Sequence, residues 1–108
     1  MSIPDKGDLV YLNFSPQSGH EQAGYRPALV LSPKLFNQDT FVVVCPITSQ
    51  EKGYPFEVKI PNGLDVNGVI LTDQPRSLDW RSRGLKIVDK APSATVEECM
   101  GLISTFLG

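Results

Sequence analysis

The 108-residue chain is poor in the side chains and patterns that common metal and phosphate sites require. One histidine and two cysteines do not supply a zinc site, and no carboxylates stand at the spacing of a calcium loop. A glycine-rich phosphate loop and the nucleophile elbow of a serine hydrolase are absent as well. These absences predict a protein that uses neither a metal nor another cofactor.

Long hydrophobic runs are missing too. No apolar stretch approaches the roughly 20 residues of a membrane span, and the N-terminal residues MSIPDKGD lack the basic start and apolar core of a signal peptide. Cys45 and Cys99 lie within apolar runs, which is typical of small buried hydrophobic residues rather than of a disulfide. We therefore expect a cytoplasmic protein that makes no membrane contact.

A large excess of charge of one sign is also lacking. The formal net charge is −2, which counts against an indiscriminate nucleic-acid binder, because such domains are usually clearly basic. The charges are unevenly distributed, since residues 76–90 contain five basic and two acidic side chains. This segment predicts a local positive face formed by Arg76, Arg81, Arg83 and Lys86.

What the chain does contain is a series of short β-type segments separated by turn residues. Runs of β-branched, aromatic and aliphatic residues predict strands. These strands span residues 8–14, 28–32, 41–48, 56–60, 69–73 and 85–88. A helical turn is predicted at residues 33–38, and apolar residues at helical spacing predict a C-terminal helix that starts at a capping box of Thr95 and Glu98. Pro46, which has no N–H, predicts a bulge or an edge position in the third strand.

These elements favour one domain over residues 1–108. The expected fold is mainly β with short helices, arranged as a small curled antiparallel sheet or SH3-like β-barrel and followed by a C-terminal α-helix.

The segment GHEQAGYRP, residues 19–27, is unusually polar for a connection between two apolar runs. RNA carries its own nucleophile, the 2′-hydroxyl. A protein that cleaves RNA therefore needs a proton acceptor, a donor for the leaving oxygen and donors for the charged phosphorane. Arg26 offers planar N–H donors for phosphate, and the hydroxyl of Thr48 can donate a hydrogen bond. The candidate proton acceptors are Glu21, Asp73 and His20.

Each candidate also has a purely structural interpretation. Glu21 and Arg26 can form a solvated pair, Thr48 can simply end a strand, and Asp73 can cap the turn before a proline. Trp80 is more typical of a core than of a platform for base stacking.

Four stretches of the chain together resemble a known toxin family. They are GDLVYLNFSPQSGHEQAGYRPALVLSPKLFN, PITSQEKGYPFEV, NGVILTDQPRSLDWRSRG and the C-terminal helix, in order from about Gly7 onward. With its G-x-E-Q-x-G-x-R-P and D-Q-x-R-S motifs, the chain resembles the MazF/PemK-type toxin endoribonucleases of type II toxin–antitoxin systems. The resemblance implies a CcdB/MazF-like barrel that works as a homodimer. It also implies metal-independent cleavage of single-stranded RNA, mainly messenger RNA, and neutralisation by a cognate antitoxin.

The resemblance also assigns roles to individual residues. In MazF-like members an arginine of the R-P motif and a threonine at a P-x-T strand end form the catalytic pair. Here these positions are Arg26 and Thr48, with Glu21 in support. Because a guanidinium does not readily give up a proton, we interpret Arg26 mainly as a stabiliser of phosphorane charge.

The Kid/PemK branch is described with a different set: an aspartate, an arginine two positions before it and a loop histidine. Asp73 and His20 match that set, but Leu71 stands where the arginine would be. Asp73 and His20 are therefore expected to be auxiliaries or RNA contacts, and the general base stays open among Glu21, His20 and Asp73. The other expected RNA contacts are Gln22, Gln50, Tyr54, Gln74, Arg76, Arg81 and Arg83.

Two other function classes remain open at this point. A CcdB-like toxin shares the barrel and acts by binding DNA gyrase, without nuclease activity. A catalytically inactive module that binds RNA or a peptide would also keep the fold.

Overall fold

The computed structural model describes residues 2–15 and 24–107. The strands are β1 (Asp8–Asn13), β2 (Tyr25–Val30), β3 (Phe41–Thr48), β4 (Glu57–Lys59), β5 (Val69–Leu71), β6 (Arg76–Asp79) and β7 (Lys86–Lys90). The helices are α1 (Lys34–Asn37) and α2 (Ser93–Leu107). Within these ranges, no helix is long and apolar enough to span a membrane.

All strand pairings are antiparallel. The strand order is β4–β5–β3–β2–β1–β7, and β6 pairs with β3 outside this path. The predicted mainly-β fold with a C-terminal helix is confirmed. Because β4 and β7 remain outer strands, the described part of the sheet is curled and open rather than closed into a full barrel.

The central strands are buried on both faces. In β1, Leu9 belongs to the hydrophobic cluster that α2 covers, whereas its neighbour Val10 belongs to the opposite cluster, which contains Trp80. In β2, Leu29 and Ala28 divide between the two clusters in the same way. Strands buried on both faces have continuous apolar runs instead of polar alternation, and this explains the sequence pattern of these segments.

Pro46 lies in the middle of the sheet instead of at the predicted bulge or edge. The N–H and C=O groups of Val43 form hydrogen bonds with residues next to β2, on one edge of β3. Along a strand, the N–H and C=O groups of successive residues point to alternate edges. The nitrogen of Pro46 therefore faces the other side of β3. There, β3 pairs with β6 up to Val44 and with β5 from Ile47. Pro46 fills the gap between two partners, where its missing donor leaves no strand unpaired.

Helix α2 begins at Ser93, ahead of the predicted cap. The carbonyl of Pro92 accepts hydrogen bonds from the N–H groups of Thr95 (3.0 Å) and Val96 (3.2 Å), so Thr95 already lies in the first turn, where it is buried. The predicted capping box of Thr95 and Glu98 is therefore wrong. The restricted φ of a proline is compatible with the start of a helix, so α2 begins earlier in the chain than the predicted cap.

Both cysteines are reduced and buried in the cluster beneath α2, as the sequence predicts. Burial raises the pKa of the Cys45 thiol and of the Cys99 thiol to about 12. Because the reactive form of cysteine is the thiolate, we expect the folded protein to resist a thiol reagent such as DTNB at pH 8. Denatured protein should react at both positions. Rapid labelling of the folded protein would contradict this burial.

Candidate active site

An open cavity of about 370 Å³ lies where β3 and β5 end. Its lining residues are Thr48, Gln50, Lys52, Tyr54, Glu57, Leu71, Asp73 and Gln74. Five of the predicted site residues are among them, namely Thr48, Gln50, Tyr54, Asp73 and Gln74. The fold thus brings together two sequence motifs, P-x-T-S-Q and D-Q, that are more than twenty residues apart in the chain.

Thr48 is the last residue of β3, and its side chain is fixed by the backbone that follows. Its Oγ1 accepts a hydrogen bond from the N–H of Gln50 at 3.1 Å, which orients the hydroxyl and leaves its own hydrogen to be donated. On the other side of the chain, a Cβ on Gly68 would lie 2.2 Å from the carbonyl oxygen of Thr48. The position of Thr48 therefore depends on the absence of a side chain at residue 68.

Residues 50–55 form a rim of the cavity that has no regular secondary structure. The carboxylate of Glu57 holds this rim, because it accepts hydrogen bonds from the N–H groups of Lys52 (3.2 Å) and Gly53 (2.9 Å). Gly53 has φ +78°, a conformation that glycine adopts without strain. Tyr54 is exposed on this rim, where its ring can stack on a base.

Another wall of the cavity is formed by the residues at and just after the end of β5. Thr72 is fully buried, and both its N–H and its hydroxyl donate to the carbonyl of Phe56. Gln74 donates its N–H to the carbonyl of Leu71 (3.1 Å), which closes a turn that presents Asp73 at the surface. The side-chain Oε1 of Gln74 is buried, and none of the described residues donates to it.

Arg26 is exposed in β2, opposite Leu12 of β1. The β2–β3 register pairs Ala28 with Pro46. If this antiparallel register is continued by two residues, Arg26 stands opposite Thr48, and the two side chains lie on the same face of the sheet. The ladder itself ends at Ala28, since Pro27 has no N–H for the next hydrogen bond. Arg26 is not among the described lining residues of the cavity but lies on the neighbouring strand.

The three predicted arginines beyond residue 75 all donate to backbone carbonyls. Arg81 donates to the carbonyls of Gln38 and Asp39 (both 3.3 Å) at the end of α1, and its guanidinium lies 4.3 Å from the ring centroid of Trp80. Trp80 itself is a core residue, as expected, and is 1% exposed. Arg76 and Arg83 donate to carbonyls near the end of β1. All three contacts with RNA remain predictions.

His20, Glu21 and Gln22 lie outside the described residues, so their expected roles also remain predictions. Hydrogen bonds join the described parts of the chain on either side of this segment. The N–H of Phe14 donates to the carbonyl of Gly24 at 2.8 Å, and the N–H of Gly24 donates to Ser15 Oγ at 3.1 Å.

Four residues at the site are not predicted from the sequence: Lys52, Glu57 and Leu71, which line the cavity, and Gly68, which lies against Thr48. The Asn-Gly pair at residues 67–68 indicates a turn, but only the fold shows that it presses against Thr48. Glu57 lies in an alternating strand and has the pattern of an ordinary solvent-facing residue, although its carboxylate braces the rim.

Both the sequence and the fold are similar to those of known proteins. A sequence profile described as "PemK-like, MazF-like toxin of type II toxin-antitoxin system" matches residues 5–107. The chain is 52% identical to the endoribonuclease toxin MazF of Escherichia coli K12, over 76% of this chain and 74% of that protein. It is 35% identical to the endoribonuclease PemK of Escherichia coli, over 95% of this chain and 81% of PemK.

Solved structures give the same picture. A crystal structure of MazF (form I) from Deinococcus radiodurans matches with a TM-score of 0.96 and 51% identity, over 100% of this chain and 99% of that one. A MazE–MazF structure (form II) from the same organism matches with a TM-score of 0.90 and 52% identity, over 100% and 98% of the two chains.

Proposed function

Because the chain belongs to the PemK-like, MazF-like toxin family of type II toxin–antitoxin systems, we propose that it is an endoribonuclease toxin. Its substrate is single-stranded RNA, mainly messenger RNA, whose cleavage inhibits translation and growth. In the reaction, the 2′-hydroxyl gives up its proton to a base as its oxygen attacks the adjacent phosphorus, and the bond to the 5′-oxygen breaks as that oxygen takes up a proton. The products carry a 2′,3′-cyclic phosphate and a 5′-hydroxyl.

The observation that carries this proposal is that residues with a hydroxyl, a carboxylate and a carboxamide side chain line one open cavity. These groups belong to Thr48, Asp73 and Gln74. The cavity is polar and open at the surface, and β2, which carries Arg26, is the neighbour of β3 in the sheet. A polar surface groove of this kind fits a strand of nucleic acid better than an apolar small molecule.

The chemistry divides among these residues according to their type. Arg26 stabilises the negative charge that accumulates on the phosphorane oxygens, because a guanidinium presents several cationic N–H donors in a geometry that matches phosphate oxygens. Thr48 donates a hydrogen bond to a phosphate oxygen. Among the candidate bases, Asp73 lies on the described cavity, and Glu21 and His20 remain the alternatives. The hydroxyl nucleophile belongs to RNA itself, so no step requires a metal.

We also propose a cognate antitoxin as a partner, a homodimer as the working form and the cytoplasm as the compartment. The MazE–MazF structures of Deinococcus radiodurans support the antitoxin, since the matched chain shares 52% of its residues with this one. An acidic antitoxin segment that occupied the cavity would compete with RNA for the same donors.

The proposed activity is tested with a mixed-sequence RNA incubated with the purified protein in EDTA, followed by sequencing of the cleaved ends. We expect cuts at a shared short motif, with cyclic-phosphate 3′ ends and 5′-hydroxyls. A single 2′-deoxy substitution at the cut should abolish cleavage, because it removes the nucleophile. Intact RNA would reject the proposal, and DNA supercoiling by gyrase would then be measured in the presence of the protein.

A further inference from the structure

Arg83 is bound to the backbone at the end of β1. One nitrogen of its guanidinium, Nη1, donates to the carbonyl of Asn13 at 3.0 Å and to the carbonyl of Ser15 at 2.8 Å. The backbone carbonyl of Arg83 in turn accepts the N–H of Asn13 at 3.0 Å. Three hydrogen bonds thus join the turn after β6 to the end of β1, although the two segments are about 70 residues apart in the sequence.

Arg76 reinforces the same point from β6. Its Nη1 donates to the carbonyl of Phe14 at 3.2 Å, and its guanidinium lies 5.6 Å from the centroid of the Phe14 ring. Phe14 is fully buried, so this ring is a rigid support. Two arginines together therefore occupy three successive carbonyls, those of Asn13, Phe14 and Ser15.

These three residues also hold the start of β2. Phe14 is hydrogen-bonded to Gly24, and Asn13 and Leu12 stand opposite Tyr25 and Arg26. The backbone of Arg26 is thus paired with the end of β1, whereas the described β2–β3 ladder ends at Ala28. A group that fixes the end of β1 fixes Arg26 as well.

We propose that Arg83, assisted by Arg76, is a positioning residue that holds Arg26 in place through the paired ends of β1 and β2. This inference rests on the proposed function for its catalytic consequence. It differs from the sequence-based expectation, in which Arg83 contacts RNA. A planar guanidinium can bridge two carbonyls in a fixed geometry, whereas a lysine ammonium carries the same charge without that geometry.

The two roles of Arg83 predict different results for Arg83→Lys and Arg83→Gln. If Arg83 holds the strand ends, both variants lower kcat by about 10- to 100-fold, because a small displacement of a catalytic group is costly. KM and the salt dependence of RNA binding should stay close to those of the wild type. Amide hydrogen exchange at Phe14 and Gly24 should become faster in both variants, while exchange at Val10 in mid-strand should not change. The charge-matched control is Lys34→Ala on α1, which should change none of these quantities.

A phosphate contact would give another pattern. Arg83→Lys would then retain most of the activity. Arg83→Gln would reduce the slope of log K for RNA binding against log salt concentration by about 0.7, the value for one lost phosphate contact on a single strand. Unchanged exchange at Phe14 and Gly24 would overturn the positioning role by itself. Hydrogen exchange needs no RNA, so this role is decided even if the wild-type protein cleaves none and the proposed function fails.

Discussion

Arg26→Ala is expected to lower the rate of RNA cleavage by about 10²- to 10³-fold and to leave the fold intact. The rate falls because the variant removes a fixed cationic donor from the charge that develops in the transition state. The fold survives because the Arg26 side chain is exposed and β2 is held by backbone pairing with β1 and by its buried half. Single-turnover cleavage at saturating protein measures the chemical step, and circular dichroism reports the fold.

Two further variants serve as references for the cleavage rate of Arg26→Ala. Arg26→Lys keeps the charge but not the planar donors, so its activity should fall between those of the wild type and Arg26→Ala. Lys59→Ala, in the exposed end of β4, removes one positive charge away from the cavity and should cleave at the wild-type rate. An Arg26→Ala protein that binds RNA more weakly but cleaves it at an unchanged single-turnover rate would assign Arg26 to binding alone.

Gly68→Ala is expected to be the most destabilising single substitution around the cavity, with a loss of about 3 kcal/mol or more in the free energy of unfolding. Two effects combine. The residue has φ +118°, which strains any side chain, and the new Cβ would lie 2.2 Å from the carbonyl oxygen of Thr48. The chain can relieve that contact only by moving Thr48, so the surviving folded protein should also cleave RNA poorly. Urea denaturation measures the first effect and single-turnover cleavage the second.

Gly63→Ala is the matched control for this prediction. Gly63 also has a positive φ, of +93°, but a Cβ there would meet no described atom within 4 Å. This variant should therefore show the backbone strain alone, of the order of 1–2 kcal/mol, and keep its activity. Equal losses for the two variants would mean that the close approach of Gly68 to Thr48 does not constrain the site.

The sequence predicts β1 and β3 closely, because burial on both faces produces long apolar runs in these strands, whereas β2 covers Tyr25–Val30 instead of the predicted residues 28–32. Strand β3 has the predicted bounds, whereas β6 was not predicted at all. Of the four residues in β6, only Leu78 is buried, so the segment shows no alternation of its own. It becomes a strand because its backbone pairs with the part of β3 from Phe41 to Val44. That cause is tertiary, and no local pattern reveals it.

The candidate site divides in the same way. The residue types that suit phosphate chemistry, Arg26, Thr48 and Asp73, are visible in the sequence. The hydrogen-bond partners of Arg83 are not visible in the sequence. They are backbone carbonyls, which every residue has, and they lie about 70 residues away in the chain. A cluster of arginines in a sequence therefore indicates positive charge but not whether that charge contacts a ligand or the protein's own backbone.

The brace between Glu57 and the rim has a practical consequence for redesign. Among the described residues, the carboxylate of Glu57 accepts hydrogen bonds from backbone N–H groups of the rim alone, so it places no requirement on the side chains at residues 50–52 and 54 except that residue 52 is not a proline. Those positions can be exchanged as a cassette while Gly53 and Glu57 are kept. A library built on this principle would vary the surface offered to a base without altering the frame that presents it.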